Sequence, residues 1–257
     1  MLINTERMDM KNIIDIHCHL IPGVDDGAKT YEMALEIIQN EYDVGVRSII
    51  LTPHFRRKMF EPDKKLVYKN YQKLKAEVKK KIPDMKLYLG CEFHASMGMV
   101  ERLNQNLQFC MAGTDYVLVE FSETDEVEYI KERIRAVQMA GYKPIIAHAE
   151  RYPKLMKRFD MLEDLVDIGT WIQVNADSIL GKEGWRTKRF CKKMMKANLI
   201  HLIGSDAHNL TDRASNLGEC ADYVQKKEGK DYAEKLFVIN PMKIVNAQER
   251  KDGNETY

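Results

Sequence analysis

Ile13-Ile14-Asp15-Ile16-His17-Cys18-His19-Leu20-Ile21-Pro22-Gly23-Val24-Asp25-Asp26-Gly27 is an apolar run that ends in two histidines and turns into two aspartates. Ile13, Ile14 and Ile16 read as a short buried strand, and Pro22-Gly23 as the turn after it. Side chains two apart on a strand face the same way. His17 and His19 are therefore expected to offer both imidazoles to one cation, with Cys18 pointing away. Asp25 and Asp26 would bring carboxylates from the loop, and Asp15 reads either as an acceptor for a ligand imidazole or as a strand-start carboxylate without that duty. Alone, the His-x-His pair is equally the pattern of a half-buried strand.

Four further runs decide between those readings. Arg47-Ser-Ile-Ile-Leu-Thr-Pro-His54 and Pro144-Ile-Ile-Ala-His148 are apolar and end in histidine. Lys86-Leu-Tyr-Leu-Gly-Cys-Glu92 ends in glutamate, and Leu199-Ile-His-Leu-Ile-Gly-Ser-Asp206-Ala-His208 in an aspartate and a histidine two apart. One histidine in a core is ordinary; ligand-type residues closing five strand-like runs point to a metal centre.

The runs recur through the chain, near 12–17, 47–53, 86–93, 115–121, 144–149, 170–175 and 199–205. Between them, 30–44, 62–81, 97–107, 125–140, 155–168 and 181–197 carry helical patterns, and more helix is expected from about 214. Thr30 is a candidate N-cap, with Gly45 and Gly141 as C-terminal stops. Tyr68, Tyr71, Leu74 and Val78 read as the packing face of their helix, and Lys79-Lys80-Lys81 as cations at its C-terminal dipole. Strands alternating with helices predict a parallel sheet with crossovers, buried on both faces. An open doubly wound sheet also satisfies the alternation. However, the candidate ligands lie at the C-terminal ends of nearly every strand, and only a closed barrel gathers all those ends on one rim. The expected fold is α/β, a seven-stranded TIM-like barrel in a single domain spanning residues 1–257, with a frayed tail from about 250.

The bulk composition agrees. The chain has 257 residues, 44% hydrophobic and 31% charged, with a net charge of +1. That balance gives no electrostatic case for nucleic acid or an anionic membrane as the main partner. No apolar stretch approaches the ~18 residues of a membrane span, and the first twelve residues lack the apolar segment of a signal peptide. A cytoplasmic protein is expected. The five cysteines, Cys18, Cys91, Cys110, Cys191 and Cys220, are scattered and odd in number, which fits reduced thiols used in packing. None is followed six positions on by an arginine, as a thiolate phosphatase loop would require.

With these blocks in view, the chain resembles the polymerase and histidinol phosphatase (PHP) superfamily, a distorted (β/α)7 barrel with a multinuclear metal centre. Asp15-Ile-His-Cys-His-Leu-Ile-Pro-Gly-Val-Asp-Asp-Gly27 looks most like the manganese-dependent tyrosine phosphatases of bacterial capsule and exopolysaccharide loci. The likeness continues through Leu51-Thr-Pro-His54, Gly90-Cys-Glu92, His148-Ala-Glu-Arg151 and Ser205-Asp-Ala-His-Asn209. The resemblance implies three metal ions, Mn2+ with Fe or Zn as alternatives, held by His17, His19, Asp26, His54, Glu92, His148, Asp206 and His208. Glu92 would bridge two of them. It also implies that Arg151 and Arg213 hold the phosphate and that Glu120 is a catalytic-site glutamate.

The chemistry of the residues is consistent with that set. Histidines mixed with carboxylates, without clustered thiolates, suit Mn, Fe or Zn in a catalytic rather than a structural site. Adjacent cations make hydroxide available near neutral pH for attack on phosphorus, and two guanidinium forks match phosphate oxygens. The implied activity is hydrolysis of phosphotyrosine on protein, with a bacterial tyrosine kinase tail as the substrate. Histidinol phosphate is the alternative substrate, a nucleic-acid repair phosphoesterase a third reading, and a metal-binding module without catalysis a fourth. Arg56-Arg57-Lys58-Met59-Phe60, directly after His54, is a basic loop placed to meet an acidic phosphopeptide. His94 and His201 fall outside the ligand set, as a rim residue and a strand residue facing away from the metals.

Overall fold

A computed structural model describes residues 10–246; the first nine residues and the tail expected to fray lie outside that range. Nine strand segments, all parallel, occupy seven positions. β1 (Ile13–Cys18) pairs with β2 (Val46–Leu51), and β2 with β4 (Lys86–Leu89). β2 and β4 each break briefly and resume as β3 (His54–Phe55) and β5 (Glu92–His94). The sheet continues from β5 through β6 (Tyr116–Glu120), β7 (Lys143–Ile146) and β8 (Trp171–Asn175) to β9 (Leu202–Gly204). Beyond β9 the Asp206 N–H donates to the His17 carbonyl at 2.8 Å, and the His19 N–H donates to the Ala207 carbonyl at 2.9 Å. These bonds join the last strand to the first, giving the expected barrel. Gly204 makes the seam possible, because a Cβ there would lie 2.7 Å from the His17 Cβ.

Inside the barrel a small apolar cluster, including Ile14, Ile16, Ile50, Leu118, Ile145 and Leu202, fills the space beneath the rim. Ile13 and Cys18 instead join the larger cluster between strands and helices. Alternation along β1 is therefore broken, and the β1–β2 register shifts between Asp15 and Cys18. This bulge turns His17 inward beside Ile16 and leaves Asp15 outside, where it accepts from the Ser205 N–H and hydroxyl. Asp15 is thus no acceptor for a ligand imidazole, because the bulge turns His17 to the other face and leaves Asp15 on Ser205.

The helices form the outer layer. Thr30 caps α1 (Tyr31–Asp43), its side chain accepting from the Met33 N–H at 3.2 Å, a contact worth about 1 kcal/mol. In α2 (Lys64–Lys81) the buried stripe is Val67, Tyr71, Leu74 and Val78; Tyr68, expected on it, is exposed because it lies a third of a turn away. α3 (Met99–Asn104) and α4 (Val127–Met139) follow, each within its expected span. The helix expected over 155–168 is two, α5 (Pro153–Lys157) and α6 (Phe159–Asp167), because Arg158 between them leaves helical geometry (φ −117°, ψ 67°). α7 (Ala176–Leu180) is short, and α8 (Trp185–Lys196) starts four residues later than expected, held off by left-handed Gly181 and Gly184 (φ 93° and 97°). α9 (Leu217–Glu228) and α10 (Lys230–Glu234) close the layer. No helix among the described residues is long and apolar enough to cross a membrane.

Candidate metal centre

Each strand delivers its polar residue to the C-terminal rim. The β3–β5 register sets His54 opposite Glu92, and the β5–β6 register sets His94 opposite Glu120. Glu92 is fully buried and sits at the centre. Its Oε2 lies 3.2 Å from both His17 Nε2 and His19 Nε2 and 2.9 Å from His54 Nδ1, while Oε1 meets His148 Nε2 at 2.7 Å. Asp206 Oδ1 stands 3.6 and 3.5 Å from His17 Nε2 and His19 Nε2. Asp26 Oδ1 faces His54 Nε2 at 3.5 Å and His208 Nε2 at 3.6 Å.

Three overlapping groups of donor atoms result: His17, His19 and Glu92; His54, Glu92 and Glu120; and His19, Asp26, His54 and His208. His17 Nε2 and His19 Nε2 lie 3.2 Å apart, but other atoms of these groups converge without a hydrogen-bond partner. His54 Nδ1, Glu92 Oε2, Glu120 Oε2 and His208 Nε2 are all buried with no hydrogen-bond partner. Orphaned donors and acceptors buried together are costly, and a cation in each group would satisfy them. Nitrogen and carboxylate oxygen without thiolate is a donor set for a first-row divalent ion, so the residues fit such metals.

The electrostatics are those of a charge cluster. Burial alone would push the Glu92 and Asp206 carboxyls up; His17 and the other imidazoles around them outweigh it and hold both well below the ordinary carboxylate range. Glu120 goes the other way, raised by burial and by the charge of Glu92. His208 is lowered to about 4 by burial and by the neighbouring His19, which leaves it neutral and able to coordinate. His148 and Asp206 both adopt left-handed backbone (φ 32° and 54°), an uncommon state for such side chains that is held by the hydrogen bonds of their own N–H groups.

The structure brings all eight sequence-predicted ligands and Glu120 to one rim. Arg151 Nη1 reaches Asp206 Oδ2 at 3.0 Å, and Arg213 spans Asp26 Oδ2 at 3.3 Å and Asp206 Oδ1 at 3.4 Å. Both guanidinium groups line a cavity of about 200 Å³ together with Asp26, His54, Glu120, His148 and Asp206. Arg56, Met59 and Phe60 form its outer wall, and the Phe60 ring stacks on His54 at 5.2 Å. His94 donates to or accepts from the Ser122 hydroxyl at 3.0 Å and is not among the donors. His201 precedes β9 rather than lying in it, stacked on Trp171 and away from the rim.

Sequence reasoning missed the supports. Asp25, the weaker of its pair as a ligand, holds His19 Nδ1 at 2.9 Å and accepts from the His54 N–H at 3.0 Å. Gln173 Oε1 accepts from the His148 N–H at 2.7 Å and lies 3.2 Å from His17 Nδ1; its amide donates to Asn175, which donates to Asp206. The signal was present: Gln173 and Asn175 are polar residues two apart in the otherwise apolar run 170–175.

Comparison with known proteins bears on the same residues. The profile of a family described as capsular polysaccharide synthesis, CpsB/CapC, matches residues 13–246. Tyrosine-protein phosphatase CpsB of Streptococcus agalactiae serotype III (strain NEM316) is 33% identical over 238 residues, covering 91% of this chain and 98% of its own. Tyrosine-protein phosphatase YwqE of Bacillus subtilis (strain 168) is 32% identical over 217 residues, 84% of this chain and 85% of its own. Among solved structures, a chain from the work on YwqE of Bacillus subtilis and CpsB of Streptococcus pneumoniae, described as unique metal-dependent tyrosine phosphatases, superposes with a TM-score of 0.85. It is 28% identical and the match covers 92% of this chain and 95% of that one.

Proposed function

The chain belongs to the CpsB/CapC family, and on that premise we propose that it is a metal-dependent phosphomonoester hydrolase acting on phosphotyrosine in protein. The observation that carries this reading is the adjacency of three donor groups and two guanidinium groups around one cavity. Three Mn2+ ions would be held by His17, His19, Glu92 and Asp206; by His54, Glu92, Glu120 and His148; and by Asp26, His54 and His208. When bound, such ions acidify water and neutralise charge gathering on a phosphoryl group.

The chain's own residues do the rest. Arg151, held by Asp206 and Glu183, and Arg213, held by Asp26 and Asp206, both line the cavity, where guanidinium forks would meet phosphate oxygens. Asp25 and Gln173 fix the ring planes of His19 and His17 by holding the nitrogen turned away from the cluster. Glu120, raised by burial and by Glu92, retains a proton more readily than an ordinary carboxyl. Phe60 and Met59 give the mouth an apolar wall, which suits an aryl ester better than the charged chain of histidinol phosphate. The partner we propose is the phosphorylated tail of a cytoplasmic tyrosine kinase that controls polysaccharide export; the family's description supports the link to capsular polysaccharide synthesis.

The test is turnover of a phosphotyrosine peptide and of histidinol phosphate, side by side, by apo-protein reconstituted with Mn2+. Preference for the peptide is expected. Preference for histidinol phosphate, or turnover of neither, would overturn the assignment.

A further inference from the structure

α8 carries Arg186, Lys188, Arg189, Lys192, Lys193 and Lys196 and not one acid in twelve residues, in a chain whose net charge is +1. At 100° per residue, Arg186, Arg189, Lys192, Lys193 and Lys196 fall on one face, and all five are exposed. Phe190, Cys191, Met194 and Met195 occupy the buried face. Among the described residues none of these five cations lies within ion-pair distance of a carboxylate; Arg186 rests on Trp185 and Lys193 on Phe159 instead. Their side chains border a groove of about 450 Å³ floored by Phe190. A solvated helix face ordinarily mixes charge signs, because unrelieved repulsion between like charges is destabilising.

The N-terminal end of α8 is tied to the metal centre. Glu183 ion-pairs Arg151 at 3.2 Å, α8 begins two residues later, and α8 packs against the Ala149–Arg151 turn. Trp185, 68% exposed, marks that end. From there the cations run about 15 Å down the barrel wall, a length covered by roughly five extended residues. A polypeptide leaving the cavity past Arg151 and Glu183 reaches the N-terminal end of α8. We infer that α8 is a docking strip for acidic residues of the protein substrate that flank the phosphotyrosine; the inference rests on the phosphotyrosine reading above. A linear basic strip on the helix that follows the Arg151–Glu183 ion pair fits a substrate's own chain better than it fits a planar lipid surface.

The test compares wild type with R189E/K192E/K193E, whose three changes are exposed and outside the metal centre. Three substrates are used: free phosphotyrosine, a phosphotyrosine peptide with glutamate flanks, and one of equal length with serine flanks. Wild type is expected to favour the acidic peptide by about tenfold in kcat/KM, through KM, with the preference shrinking as salt is raised. In the variant that preference is expected to vanish while free phosphotyrosine and metal content are unchanged. Equal use of the two peptides by wild type, or a preference the variant keeps, would overturn the strip. Anisotropy of a labelled glutamate peptide without phosphotyrosine reads docking independently of turnover. Loss of that binding in the variant supports the strip even if no phosphotyrosine substrate is hydrolysed, which would then count against the activity alone. Binding to phosphatidylserine vesicles without binding to the peptide would reassign the face to membrane.

Discussion

The Asp25 carboxylate holds His19 Nδ1 at 2.9 Å and so turns Nε2 toward Glu92 and Asp206. One short contact thereby fixes both the tautomer and the plane of a candidate ligand. Replacing Asp25 with alanine is expected to weaken metal binding by about 10- to 100-fold while the fold stays intact. Competition with a chelator, followed by metal analysis and circular dichroism, measures both. Affinity equal to wild type would mean that His19 is oriented by other contacts.

Gln173 should matter in a different way, because it serves two chain segments at once. Its Oε1 accepts from the His148 N–H and faces His17 Nδ1. A leucine there keeps the volume but strands a buried N–H at a left-handed backbone position. The expected cost is about 1–3 kcal/mol in denaturant unfolding, with a further loss of turnover. Glutamate, which restores the acceptor oxygen, should recover part of the stability. Unaltered stability in the leucine variant would show that His148 holds its strained backbone unaided.

How much of this was legible beforehand follows from what each feature depends on. Apolar runs ending in His, Glu or Asp are local patterns, so the barrel and its rim of candidate ligands could be read from His17 to His208. The β1 bulge could not, because strict alternation puts Asp15 and His17 on one face, and only the register shift after Asp15 turns His17 inward while Asp15 stays outside on Ser205. Gln173 and Asn175 looked like ordinary strand polarity, since their partners His17, His148 and Asp206 are remote in sequence. The break at Arg158 escaped because a helix-period pattern runs across it. Basic residues on α8 were visible, but their lack of carboxylate partners is a property of the fold.

Removing a ligand and removing an arginine should be separable. His148→Ala, or Asp206→Ala with His208→Ala, is expected to abolish turnover with loss of bound metal. Arg151→Ala is expected to leave metal content unchanged, since Asn175 still holds Asp206 at 2.9 Å, while lowering kcat/KM by about 10²- to 10³-fold. Steady-state kinetics beside metal analysis distinguishes the two. Metal loss in the arginine variant would make Arg151 a support of the centre rather than a phosphate contact.

Glu41 offers a test of stability against pH at a carboxyl outside the ligand set. It is buried on α1 with neither oxygen in a well-formed hydrogen bond, and its polar neighbours are Asp15, Ser205 and Ser215. Burial, then the charge of Asp15, raises its pKa well above the usual carboxylate value. The folded protein therefore keeps a proton that the unfolded chain releases above about pH 4.3. Folded protein then binds more protons than unfolded, so this stabilising contribution is full at low pH and declines as pH rises through the folded pKa. Glu41→Gln keeps the shape, needs no proton and can donate to Asp15. Its gain over wild type should widen between pH 5 and 8, by at most about 1.4 kcal/mol per pH unit. Paired thermal melts across that range read the difference. A constant offset, or a variant less stable than wild type at pH 8, would mean that Glu41 is ionised in the folded protein.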